Sequence, residues 1–304
     1  IGSLSRGSST RSIFSQAERQ RPRFYTPSLD KAAFYPRECF NDVAAALKDT
    51  HVWLSGEGGA GKSFCAAFCA EQFRESKSRL SSGDAASAIP ALVSSPHDGV
   101  LCVEFRSPDA SWEELCGAIQ EFFEASRLPL DPKELKQTTA QFLTTHFRLL
   151  IVDNAHYAKQ ELREKLRSLA VELNKLTKSQ FTRACRLLFL ARFGPKIELR
   201  DAASAIRTLQ LDSLTLDEAV AYRKARGYPP ATRDAVEKAR KHVDGNAMKL
   251  DFLFADYQAR RIPLETFDPD SFGYEFSDAL ERCWNALTPS DQLLLQDAAC
   301  LRRE

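Results

Sequence analysis

No stretch of this chain approaches the roughly 18 consecutive apolar residues of a membrane-spanning helix, so no membrane partner is expected. A dominant charge is lacking too. Lys and Arg number 42 against 41 Asp and Glu, and a net charge of +1 gives no global attraction to nucleic acid or an anionic surface. The 8 cysteines include no C-x-x-C pair, which argues against a zinc site, and their scatter argues against a disulfide framework. Cys65 and Cys69, four apart on one helical stretch, read as small buried thiols. Reduced thiols suit an intracellular, cytoplasmic location, with the nucleus as the alternative. The chain starts at Ile1 without the layout of a signal peptide and reads as a fragment or a processed product.

What is present is organised around residues 51–70, HVWLSGEGGAGKSFCAAFCA. Val52-Trp53-Leu54 has strand character, a glycine turn follows, and Phe64, Ala67 and Phe68 continue at helical spacing. Strand, glycine loop and helix form the setting in which G-x-x-x-x-G-K-[ST] becomes a phosphate-binding loop. Gly56, Gly58, Gly59, Ala60 and Gly61 would curl the backbone so that successive N–H groups face phosphate oxygens, aided by the positive end of the helix. Lys62 would reach the β- and γ-phosphates, Ser63 would offer its hydroxyl to Mg²⁺, and Phe64 completes the helix start beside them.

The length of 304 residues suits about two domains. Residues 1–30, rich in Ser and Arg, read as a solvated linker, with a nucleic-acid arm as the alternative use. An α/β domain is expected over 31–212. It has a helix carrying Phe40, Val43, Ala46 and Leu47, strands over 100–105, 149–153 and 187–190, a Ser/Ala/Gly-rich loop over 78–99, and a capping box at Ser111 and Glu114. From 213 to 268 the pattern is helical only: a cap at Thr215 and Glu218, a break at Pro229-Pro230, a basic helix from Arg233 to His242, and a further helix after Asp244-Gly245-Asn246. Residues 269–304 begin another helical unit.

Two further residues join the loop. Leu149-Leu150-Ile151-Val152 runs into Asp153, a carboxylate at the C-terminal end of a buried parallel strand, where such sheets bind ligands. It would share Mg²⁺ with Ser63. Arg192 follows the next strand and is placed to sense a γ-phosphate. A guanine reader needs Asn-Lys-x-Asp, and the nearest stretch, Asn174-Lys175-Leu176-Thr177, has no aspartate, so an adenine nucleotide, ATP or ADP, is the expected ligand.

The order of phosphate loop, HDGVLCVEF, RLLIVDNAH, RLLFLAR, LDSLTLDEAV and VDGNAMKLDFL resembles the signal-transducing ATPases with numerous domains, the STAND class with its NB-ARC branch. The resemblance covers roughly residues 33 to 300 and implies a P-loop NTPase parallel sheet with helices on both faces. A small helical lid and the start of a winged-helix-like unit would follow. It also implies nucleotide contacts from Arg37 and Gly245, flanking effector and sensor modules, and nucleotide-dependent homo-oligomerisation. Pro36 stands where the family's first motif has glycine, and Ala247 where its lid motif has proline. Asn154 takes the place of a second acid. It can steer water but cannot accept its proton, so slow hydrolysis is expected from Lys62, Asp153, Asn154 and Arg192. The rivals are an AAA+ ATPase acting on DNA, similar to origin-recognition ATPases, and a non-hydrolysing nucleotide-bound scaffold.

Overall fold

In the computed structural model the described residues are 35–81, 99–106, 110–125, 140, 143–144, 147–179, 185–194 and 205–269, with the main chain of 23–25. Among the described residues six strands form one sheet: β1 (Arg23–Tyr25), β2 (His51–Ser55), β3 (Val100–Glu104), β4 (Leu149–Asp153), β5 (Arg186–Ala191) and β6 (Ile206–Gln210), in the order β1-β3-β4-β5-β2-β6. β1 is antiparallel to β3, and the five other strands run parallel. Helices α1 (Glu38–Asp49), α2 (Lys62–Ser81), α3 (Trp112–Ala125) and α4 (Gln160–Ser179) belong to this part.

Strands β2 to β5 are almost wholly apolar because both faces of the sheet are covered. On one face α1 and α2 pack Phe40, Leu47, Cys65 and Cys69 against Leu54, Cys102, Ile151 and Leu190. On the other, α3 and α4 place Leu115, Ile119, Leu162 and Leu166 on Leu101, Val103, Leu150 and Phe189. Ser111 and Glu114 form the expected reciprocal cap: the Ser111 N–H donates to the Glu114 carboxylate (2.8 Å) and the Glu114 N–H to the Ser111 hydroxyl (3.3 Å). Two polar side chains of β2, His51 and Ser55, are buried. Buried His51 donates from Nε2 to the Ala170 carbonyl (3.0 Å) and accepts at Nδ1 from the Leu187 N–H (3.0 Å), so both ring nitrogens are used by the neutral form.

The chain then forms α5 (Leu216–Ala225), α6 (Arg233–His242) and α7 (Ala247–Ala259) around a separate core of Leu214, Val236, Ala239, Leu250, Leu253 and Phe254. Thr215 and Glu218 cap α5 reciprocally, and Thr232 and Asn246 cap α6 and α7. Gly227, at φ 73°, supplies the left-handed turn that stops α5 before Pro229 is reached.

The expected parallel sheet with helices on both faces is present, and three details differ from the sequence reading. Arg23–Tyr25, within the stretch that composition assigns to a linker, pairs with β3. β6 escapes the periodicity argument because it is an edge strand burying only Ile206. α2 runs on to Ser81, so the loop predicted from 78 begins later. The rest of that loop, over 82–98, and the unit expected from 269 lie outside the described residues, apart from Pro269 itself.

Candidate functional site

Strand order brings the site together. β5 lies between β2 and β4, so Arg192 after β5 stands between the loop that follows β2 and Asp153 at the end of β4. All three meet at the C-terminal edge of the parallel sheet and line a cleft of about 570 Å³.

The loop from 56 to 63 depends on glycine at defined points. Gly59 and Gly61 have φ of 81° and 100°, a region where a Cβ is strained. A Cβ on Gly56 would lie 2.8 Å from the Leu211 carbonyl oxygen. Lys62 opens α2 and curls back, donating from Nζ to the carbonyls of Gly56 and Glu57, each at 2.7 Å. Burial holds its pKa below the ordinary lysine range; Arg192 adds to this, while Asp153 and Glu57 oppose it. The ammonium therefore sits where phosphates would enter, bonded to carbonyls it can exchange for stronger anionic acceptors.

Ser63 and Asp153 both line the cleft, and Asp153 Oδ1 accepts the Asn154 N–H at 2.7 Å. A hydroxyl and a carboxylate are hard oxygen donors suited to Mg²⁺. Among the described residues no group of three or more His, Cys, Asp or Glu could hold a metal ion. A Mg²⁺ ion held here would take its protein oxygens from Ser63 and Asp153 and complete its shell with water and phosphates.

Asn154 lies in the left-handed region (φ 55°, ψ 36°) and donates from Nδ2 to the Phe105 carbonyl at 3.0 Å. Its amide nitrogen is thus tied to the main chain beside the cleft. His156 packs against Tyr157 and Phe193, with ring centroids 4.3 Å and 5.7 Å away. Burial first, then Arg192 and Lys62, push its pKa down to about 4. It is a weak base at neutral pH. Phe64 is half exposed at the cleft mouth.

Arg37 lines the cleft but is only 6 % exposed. Its guanidinium donates to Glu218 on α5 (2.9 Å), to the Ala60 carbonyl of the loop (3.4 Å) and to the Ser213 carbonyl between the two units (3.3 Å). Burial alone would raise the Glu218 pKa, yet the bonds from Arg37 and Thr215 outweigh it and hold the carboxyl below its usual range. Arg37 is thus a strut between loop and helices. Gly245 serves a turn instead of the cleft: at φ 66°, a Cβ there would lie 2.8 Å from the Leu214 carbonyl oxygen, and Gly245 O accepts the Leu214 N–H at 2.8 Å. Gly56 likewise stands behind the cleft wall, joined to it through Lys62.

The cleft also contains residues that the motifs do not reveal. Glu104 and Arg106 come from the end of β3. Glu104 closes an apolar run just as Asp153 does, and that signal could have identified it. Tyr35 and Tyr222 meet edge to face with centroids 6.3 Å apart. Arg226, at the end of α5, makes two bonds to Asp251 of α7 (3.1 and 2.9 Å), and the Tyr228 hydroxyl donates to the same carboxylate at 2.7 Å. This second group brings together residues 25 positions apart and has no local signature.

A family model described as an AAA domain matches residues 46–191. No curated protein matches the sequence. Among solved structures, a STAND protein with a tetratricopeptide repeat sensor from Pyrococcus horikoshii is similar at 12 % identity and a TM-score of 0.48, over 89 % of this chain and 34 % of its own. This chain therefore spans about a third of that protein's length. Cdc6p from Pyrobaculum aerophilum is similar at 13 % identity and a TM-score of 0.48, over 77 % of this chain and 67 % of its own. Domain III of the replication initiation protein DnaA from Thermotoga maritima is similar at 11 % identity and a TM-score of 0.44, over 79 % of this chain and 95 % of its own.

Proposed function

We propose that this P-loop NTPase works as a switch: it binds ATP or ADP with Mg²⁺, hydrolyses ATP slowly, and changes conformation and assembly with the nucleotide held. The observation that supports this best is the seating of the helical unit on the phosphate loop itself. Asn246 Nδ2 donates to the Gly58 carbonyl at 2.8 Å and the Met248 N–H to the Gly59 carbonyl at 3.1 Å. Arg37 adds the link from Ala60 to Glu218. A phosphate settling among the loop N–H groups acts on the residues that carry the helices, so α5 to α7 serve as a lid. Such a lid switches only if ATP and ADP differ in affinity for its two seatings.

In this reading Lys62 leaves its two carbonyls for the β- and γ-phosphates, and Arg192 touches only the γ-phosphate. Ser63 and Asp153 would hold Mg²⁺, which when bound would neutralise phosphate charge. A signalling role with flanking effector and sensor modules is the setting we favour over action on DNA. The near-balanced charge of the chain, 42 Lys and Arg against 41 Asp and Glu, gives no global attraction to a phosphate backbone.

Mass in solution with ADP, then with a non-hydrolysable ATP analogue, tests the proposal. A larger assembly with the ATP analogue is expected, together with altered hydrogen exchange in α7. The same mass and the same exchange in both states would overturn it. Salt-dependent DNA binding at micromolar affinity would favour the DNA-acting alternative.

A further inference from the structure

We infer that Glu104 is the carboxylate that holds the attacking water and takes its proton when ATP is hydrolysed. This rests on the ATPase reading above and supplies the acid that Asn154 lacks.

Strand pairing carries the inference. Glu104 is the register partner of Asp153 on the neighbouring parallel strand. Val100 and Cys102 share a core layer with Leu149 and Ile151, so by strand alternation Glu104 and Asp153 face the same side of the sheet. That is the side covered by α2, whose first residues are Lys62 and Ser63. Adjacent strands lie about 4.8 Å apart, so two carboxylates stand next to each other at the C-terminal edge, and both line the cleft.

The order β3-β4-β5-β2 then separates their tasks. Asp153 is nearer the phosphate loop. Glu104 is one strand farther out, on the side away from β2 and hence away from the departing ADP. In-line displacement brings the water from that side. Arg106 lies 3.6 Å from the Glu104 carboxylate, and both side chains are mostly sheltered, at 15 % and 23 % exposure. The guanidinium is the ion-pair partner of that carboxylate, and the two side chains line the cleft together. The nearer alternatives are occupied otherwise: Asn154 donates to Phe105, and His156 is a weak base. In the step itself the water oxygen bonds to the γ-phosphorus as the bond to the β–γ bridging oxygen breaks. Its electron pair stays on ADP, and the water proton passes to Glu104 and then to solvent.

The test uses Glu104→Gln, nearly isosteric, and Glu104→Asp, which keeps the carboxylate. Affinity for a non-hydrolysable ATP analogue, single- and multiple-turnover hydrolysis, and the nucleotide retained after incubation with ATP are measured on each. Glu104→Gln should lose about 10²- to 10⁴-fold in turnover, the scale of a general base, with affinity within about threefold of wild type. It should retain ATP where wild type retains ADP, and Glu104→Asp should keep part of the rate. Unchanged turnover in Glu104→Gln, or wild type that binds ATP without hydrolysing it, would overturn the assignment and leave the nucleotide site standing. Parallel loss of binding and turnover in both variants would show a structural residue and overturn it too. Failure of wild type to bind ATP at all would remove the ATPase reading and this inference together.

Discussion

Asn246 separates two jobs that one substitution can tell apart. The residue is 4 % exposed; its Oδ1 accepts the Lys249 N–H at 3.2 Å and caps α7, while Nδ2 donates to the Gly58 carbonyl at 2.8 Å. Asn246→Ala removes both. Losing the cap costs about 1 kcal/mol, and losing a buried hydrogen bond costs about another 1 kcal/mol, with the Gly58 carbonyl left poorly satisfied. Asn246→Asp keeps a good cap, with its charge at a favourable helix end, but sets an acceptor against an acceptor at Gly58. The aspartate variant thus isolates the link between helices and loop. The Met248 amide, which donates to Gly59, reports it by hydrogen exchange. About 30-fold faster exchange is expected in Asn246→Ala, following about 2 kcal/mol, and at least fivefold in Asn246→Asp, where carboxylate–carbonyl repulsion adds to the lost bond of about 1 kcal/mol. Exchange at Met248 and nucleotide affinities both unchanged in Asn246→Asp would refute the idea that this side chain couples the helical unit to the loop.

Lys62→Ala should weaken ATP binding by tenfold or more in a calorimetric titration while circular dichroism stays unchanged, because its Nζ bonds only loop carbonyls at the mouth of the sheet. Arg192→Ala should cost ATP about 1.5–3 kcal/mol of affinity, the range for a hydrogen bond to a charged group, and leave ADP nearly unaffected; equal losses would mean that Arg192 does not read the γ-phosphate. His51 makes stability depend on pH. Burial, with help from Arg186, pushes its pKa from 6.5 down to about 4, so the unfolded chain binds the extra proton between those values. Its contribution is complete above pH 6.5 and is lost as the pH falls toward 4, by up to about 3 kcal/mol. Urea unfolding at pH 7 and pH 4.5 should show this fall, and a wild-type difference no larger than that of His51→Gln would exclude it.

The local features of this protein were determined by the sequence alone. A glycine loop between a strand and a helix, an acid closing an apolar run, and Ser or Thr three residues before Glu are each written within a few neighbouring positions. The phosphate loop, Asp153, α3 and α5 were legible for that reason. Tertiary structure decided what depends on strand order and long-range pairing. Only the insertion of β5 between β2 and β4 sets Arg192 beside the loop. Only the register of β3 with β4 turns Glu104 into a neighbour of Asp153. Arg37, a nucleotide contact by the family resemblance, lines the cleft, and only the fold shows that its guanidinium is also bonded to Glu218, 181 residues away. Asn154 reads in the sequence as a residue that steers water, and only the tertiary structure shows its left-handed backbone and the bond from its amide to the Phe105 carbonyl. Hydrogen-bond partners drawn from distant strands carry no trace in the spacing of either partner, because chain direction and sheet order, not local periodicity, bring them within 3 Å.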